Sequence, residues 1–312
     1  MKPLSPTARR TQPGTEREAG FVLLSVLGIL AVVSAILAGA LLQVRSSAAL
    51  TQARGRIVQL QGIADGITRL IAYDLGVRRT YRLAGLDFPE DGTVVACPLD
   101  RSRTAFVSLQ DQGRLIDLNR TPRPALEEAF RLLGVPDRTV LAVAAELVDY
   151  RDADDVPEPT GGAELPQYRA RGLLWGPRNA PFASVDEIER LPSMTPDVAA
   201  ILRPVLTVYN EGGRFDLAAL VAQRRPSHLD ASLRQARPVP SPRQYFRMSV
   251  VVEEAGARAG RSAIYALGGT RTGTDFLSWQ QASTTVTTAV TSPLGHRSCP
   301  TVATALRAGG TE

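Results

Sequence analysis

Twenty-four consecutive residues without a charge, Phe21 to Val44 (FVLLSVLGILAVVSAILAGALLQV), constrain this chain more than any other feature. As a helix rising 1.5 Å per residue, the run spans roughly 36 Å, enough for a bilayer core. Ahead of it lie twenty residues in which Lys2, Arg9, Arg10 and Arg17 outweigh Glu16 and Glu18, giving +2. A secretory signal peptide would carry a shorter apolar region ending at a small-residue cleavage site, and AGALLQVRSS is a poor one. A plain single-span anchor is a second reading. Flanking charge does not orient the span alone, because Arg45, Arg54 and Arg56 follow it. A first helix ahead of a long C-terminal domain normally translocates that domain.

Composition narrows the rest. A hydrophobic content of 44% suffices for a packed core. Two cysteines and two histidines (His228, His296) leave no thiolate or imidazole cluster for zinc or iron–sulfur chemistry. Lys2 is the sole lysine, so neither a P-loop lysine nor a Schiff-base lysine stands in the body of the chain. The formal charge of +5 is carried by arginine.

Beyond the span, Ile57, Leu60, Ala64, Ile67 and Ile71 recur at steps of three and four, predicting one apolar stripe. The pattern predicts one long helix from about Phe21 to Leu75, half in the membrane and half docked on a sheet. Period-two segments follow at Thr93–Cys97, Thr104–Asp111 and Gly113–Asn119, the last two joined by a short turn. Three more strands are expected at Tyr245–Ala255, Arg261–Gly269 and Thr274–Ser283. The interval from Arg120 to Ala236 reads as short helices. PALEEAFRLLGVP ends on Gly134 and Pro136, SVDEIERL opens on Ser184 with Glu187 three residues on, and TPDVAAILRPVLTVY opens on Thr195-Pro196.

Inside that interval, Asp149 to Glu164 holds six acids (Asp149, Asp152, Asp154, Asp155, Glu158, Glu164) and one base, Arg151. Pro157, Pro159, Gly161 and Gly162 make most of it a loop. Hard oxygen donors on a turn-rich loop suit Ca²⁺, although the spacing D-x-x-D-x-D-D is not that of an EF-hand. A solvated turn with capping aspartates explains the same residues without an ion. Paired carboxylates also serve glycoside hydrolysis, but only 5% of the chain is aromatic and no G-x-S-x-G or H-E-x-x-H is present, so no enzyme is expected.

Two groups of residues carry a family resemblance. Gly20 stands between the charged leader and Phe21, as EREAG/FVLLSVLGIL. This arrangement resembles the signal of type IV pilins and pseudopilins. The second group is the Asp149–Asp152–Asp154–Asp155 run, Gly162-Ala163-Glu164, Asn179-x-Pro181-x-x-Ser184-x-x-Glu187 and Met194-Thr195-Pro196. Together they resemble the GspK-type minor pseudopilins of the type II secretion pathway. The resemblance implies an α+β fold: a pilin-like long N-terminal helix packed on an antiparallel sheet, with a large inserted all-α domain of SAM-like or helix-hairpin-helix type. The boundaries expected are leader 1–20, transmembrane segment 21–44, pilin-like parts 45–119 and 237–283, inserted domain 120–236 and a flexible tail 284–312.

The same resemblance implies cleavage by a prepilin peptidase between Gly20 and Phe21, with methylation of Phe21. Most pilin-like subunits have Glu at the fifth mature position; this chain has Ser25. A carboxylate in a bilayer is costly unless paired with a neighbouring subunit, so its loss suits a tip position. Calcium is implied in the helical domain, with Asp152, Asp154, Asp155 and Glu164 as foremost ligands beside Asp149. Implied partners are other minor pseudopilins, the major pseudopilin, the peptidase, the inner-membrane secretion platform and secreted cargo. The expected location is a single pass of the inner membrane with the C-terminal domain in the periplasm. There Cys97 and Cys299 could pair, and two separate thiols stay equally open.

The hairpin SVDEIERLPSMTPDVAAIL also resembles helix-hairpin-helix DNA-binding modules, whose turn reads L-P-G-I-G. Here Leu191-Pro192-Ser193-Met194-Thr195 lacks both glycines, and Asp186, Glu187 and Glu189 would repel phosphate. Packing is expected there and no nucleic acid, with a membrane-anchored DNA-uptake factor as the alternative function.

Overall fold

A computed structural model describes residues 15–81, 85–268, 275–283 and 296–308. The chain divides into two compact units, Met1–Gln59 and Leu60–Glu312. Helix α1 (Thr15–Tyr81) begins before Gly20 and ends beyond Leu75. Every described side chain from Val22 to Gln59 is exposed. Residues 1–14 of the expected leader lie outside the described residues.

In the second unit, the α1 stripe is Leu60, Ala64, Ile67, Ile71 and Leu75, all buried. Ile57 is not part of it and is 42% exposed. The stripe packs against a five-stranded antiparallel sheet of order β1-β2-β5-β6-β7. Its strands are β1 (Asp91–Pro98), β2 (Arg103–Asp111), β5 (Tyr245–Glu254), β6 (Ala257–Ala266) and β7 (Phe276–Gln281). Alternation fixes the inward face: Val107 and Leu109 of β2 and Met248, Val250 and Val252 of β5 are buried in this core. β6 starts earlier than its pattern predicts because Ala255 (φ 47°) and Gly256 (φ 81°) make a tight two-residue hairpin.

Between β2 and β5 the chain builds a separate core. It holds α2 (Arg123–Leu133), α3 (Asp137–Arg151), α4 (Leu165–Ala170), α5 (Pro196–Leu202), α6 (Leu217–Arg224) and α7 (Ala231–Gln235). Leu126, Phe130, Val143, Leu147, Ile188 and Leu202 are among its buried residues. The segments flanking α2–α5 meet in a parallel pair, β3 (Ile116–Asp117) with β4 (Leu206–Thr207). Asp117 fastens the junction: Oδ1 accepts from Asn119 and Arg120, and Oδ2 from Asn210 N at 2.8 Å.

Two expectations are corrected here. Gly113–Asn119 is not a third strand of the large sheet, because a 3-10 turn over Gln112–Arg114 diverts the chain into the module. The helix opening at Pro196 stops at Leu202, two residues before Pro204, which cannot donate to the helix ladder.

The tail needs a third correction. Residues 299–308 form helix α8 (Cys299–Ala308), whose Val302 is buried against the sheet core. Cys299 is bonded to Cys97 of β1, with Cα atoms 5.0 Å apart. Val302 and Leu306 share one helix face, so this part has an apolar stripe that overrides its small-residue composition. Residues 284–295 and 309–312, also assigned to the flexible tail, lie outside the described residues, as do Gly269 and Thr274 of the expected strands.

Candidate functional site

The acidic loop begins at Asp152, the C-cap of α3, and returns over that helix to Glu164, the N-cap of α4. Asp149, fully buried in the last turn of α3, pins the return. Its Oδ1 accepts from Glu158 N at 2.9 Å and its Oδ2 from Ala163 N at 2.5 Å. Arg123 of α2 holds the far side through Glu158 (2.8 Å) and the carbonyls of Pro159 (2.6 Å) and Thr160 (3.2 Å). Gly161 has φ 112°, and a Cβ there would lie 2.8 Å from the Ala142 Cα. At Gly162 a Cβ would lie 2.5 Å from Asp149 Oδ2. The Gly161-Gly162 pair is therefore what lets the loop lie against α3.

This closure buries Asp149 and Glu164 and half-buries Asp152, while Asp154 and Asp155 stay exposed. Glu164 is 1% exposed, and neither side-chain oxygen has a hydrogen-bond partner among the described residues. Burial, then the charges of Asp149, Asp152, Asp155 and Asp154, pushes its carboxyl up to about 7. Burial also raises Asp152, whose Oδ1 is unpartnered among the described residues. Asp154 Oδ1 accepts from Val156 N (2.9 Å), and Asp155 Oδ1 from Asn179 Nδ2 (3.1 Å). Asn179 was missed as a donor by sequence reasoning. It reaches the loop from 24 residues away, and its amide oxygen is buried without a partner among the described residues.

The donor set is oxygen only, partly unsatisfied and mutually repelling, which fits a hard cation in chemistry. Its geometry is less complete. Among the described residues, no three His, Cys, Asp or Glu side chains form a ready-made metal cluster. Asp149 is already engaged by two loop amides, so its part is to hold the loop.

The hairpin is built around a different carboxylate. Ser184 and Glu187 form the expected capping box, but on a 3-10 turn, Val185–Arg190. Glu187 also accepts from Arg178 (3.0 Å) and from the Tyr150 hydroxyl (3.0 Å). At the turn, Ser193 donates both its amide (2.8 Å) and its hydroxyl (2.6 Å) to Glu146, which is fully buried. Arg171 pairs with the same carboxylate at 3.0 Å. The amide that a phosphate would need at this turn thus points inward at a carboxylate. That arrangement suits packing and opposes DNA binding.

Gly20 and Phe21, expected to flank a cleavage site, and Ser25, expected to mark a tip position, all lie within α1. This helix is long and apolar enough to cross a membrane, with a mean hydropathy of 2.7 over its most apolar stretch.

A sheet-docked N-terminal helix, a five-stranded antiparallel sheet and a helical module inserted between β2 and β5 define a pilin-like α+β fold with an inserted domain. Residues 107–211 match the family model for "Type II secretion system (T2SS), protein K". A solved structure, the GspK-GspI-GspJ complex of the enterotoxigenic Escherichia coli type 2 secretion system, contains a similar chain. The likeness has a TM-score of 0.50 at 14% identity and covers 77% of this chain and 99% of that one. No curated protein sequence matches the chain. The family-model match bears on residues 107–211, and the likeness to the solved chain bears on the fold.

Proposed function

We propose that the protein sits at the tip of a type II secretion pseudopilus, where it initiates and caps assembly for export across the outer membrane. The observation that carries this is the pairing of an uncharged apolar run, Phe21 to Val44 of α1, with a large inserted head. Subunits that stack in a filament must fit neighbours above and below; a head enlarged by residues 115–235 resists a neighbour on its outer side. Ser25 in place of the usual carboxylate removes the pairing group that would call for a preceding subunit.

On this reading a prepilin peptidase cuts after Gly20 and Phe21 is methylated. The span then stays in the inner membrane, and the sheet and module stand in the periplasm. Its neighbours are minor pseudopilins of the GspI and GspJ kinds, then the major pseudopilin, the inner-membrane platform and, at the exposed end, secreted cargo. Calcium at the acidic loop would draw in Asp152, Asp154, Asp155 and Glu164, with Asn179 as a neutral donor, relieving their repulsion and stiffening the head. The role is structural, not catalytic.

The test is copurification of the full chain with GspI- and GspJ-type subunits from membranes, together with secretion in a strain lacking its own tip subunit. A stable complex and restored secretion are expected. Secretion without the complex, or a complex that forms only with the major subunit, contradicts the tip assignment.

A further inference from the structure

On the sheet face opposite α1, a cavity of about 830 Å³ opens between the strands and the inserted module. Its floor is a row of small polar side chains crossing the strands. Ser108 pairs with Ser249, Ser249 with Ser262, and Ser262 with Gln280. Its roof is the segment Ala183–Asp186 with Arg203 and Pro204. Apolar groups flank the row, Phe106 and Val251 on one side and Ile264 and Leu277 on the other.

One cation in this cavity is unmatched. Arg203 is committed to Asp186 and Glu189. Arg247 of β5 is only partly exposed, and among the described residues no hydrogen bond or ion pair reaches its guanidinium. Burial lowers its proton affinity, and only Tyr209 and Asp186 act against that. Its guanidinium opens on the cavity, and its planar fork matches a carboxylate.

We propose that this cavity binds an extended, carboxylate-bearing peptide segment of a partner protein, with Arg247 as the carboxylate receptor. A lone carboxylate would leave most of 830 Å³ empty. The serine row offers hydroxyls to a peptide backbone, and the flanking apolar groups receive neighbouring side chains. The charge of the cavity is complementary to Asp or Glu, not to Lys or Arg. The inference stands apart from the tip assignment and from the calcium loop.

The probe is a pair of end-blocked octapeptide libraries, alike except for a central Glu in one and Gln in the other. Both are captured on the full chain in detergent, for the wild type, Arg247→Gln and Arg247→Lys. The wild type should enrich the Glu library about tenfold, Arg247→Gln should lose the preference, and Arg247→Lys should keep part of it. Circular dichroism checks the fold of each variant, and the lysine variant decides if the glutamine variant unfolds. Equal capture of both libraries by wild type, or an unchanged preference in both variants, overturns the proposal. So does full competition by millimolar succinate, which would make the site one for a free dicarboxylate.

Discussion

Ser193 occupies the turn position where a DNA-binding hairpin would have glycine, and it converts a phosphate-facing amide into an internal donor. Glu146 makes this possible, and no sequence pattern marks it, because it sits in an otherwise ordinary helical run. Removing the hydroxyl by Ser193→Ala leaves a buried carboxylate with one fewer donor and should cost about 1–3 kcal/mol, read by denaturant unfolding. Unchanged stability contradicts the buried role. Burial raises Glu146 above its ordinary 4.5 despite Ser193 and Arg171. Stability linked to its proton is therefore full below pH 4.5 and lost as pH rises through the raised value. Glu146→Gln lacks that loss, so its melting temperature relative to wild type should climb with pH over this window. Parallel curves count against it.

Gly162 and Glu164 carry the residue-scale argument for the acidic loop. Gly162→Ala forces a Cβ against Asp149 and should destabilise the protein by about 1–3 kcal/mol. For the proposed cation, thermal melting of the full chain in calcium and in chelator is the check. A higher melting temperature in calcium, reduced in Glu164→Gln, is expected. No difference between the two conditions removes calcium from the account.

Elements were legible where a local signal agreed with packing. The α1 stripe, the Gly134 cap of α2 and the Ser184 capping box follow from spacing alone. Two of the misses share a cause: the deciding contact was distant in sequence. Residues 113–119 alternate like a strand, yet Ile116 finds its partner at Leu206 instead of in the large sheet. Helix α8 hides in a Thr- and Gly-rich tail, and its anchor, Cys97, is 202 positions away. Closing so long a loop predicts that Cys97→Ser with Cys299→Ser, or reduction, costs about 2–5 kcal/mol in unfolding free energy. Equal stability with and without reductant contradicts a structural bond. For the site, the acidic run was visible as composition. Its closure by Arg123 and the contribution of Asn179 were not, since both arrive from other elements.

At the scale of the molecule, a helix with one long uncharged apolar run and a head with two cores fit the proposed role of an assembling subunit. If Ser25 reflects a tip position, Ser25→Glu should leave secretion no better than wild type; improved secretion would show that the missing carboxylate was a defect. The claim that the chain is processed and assembled as a pseudopilin rests first on its N-terminus. Mass spectrometry of the mature chain from membranes containing a prepilin peptidase tests this directly. The account predicts a chain that begins at Phe21 and carries one added methyl group, and that Gly20→Ala prevents this. A chain that still begins at Met1, or one cut after the apolar run, contradicts it.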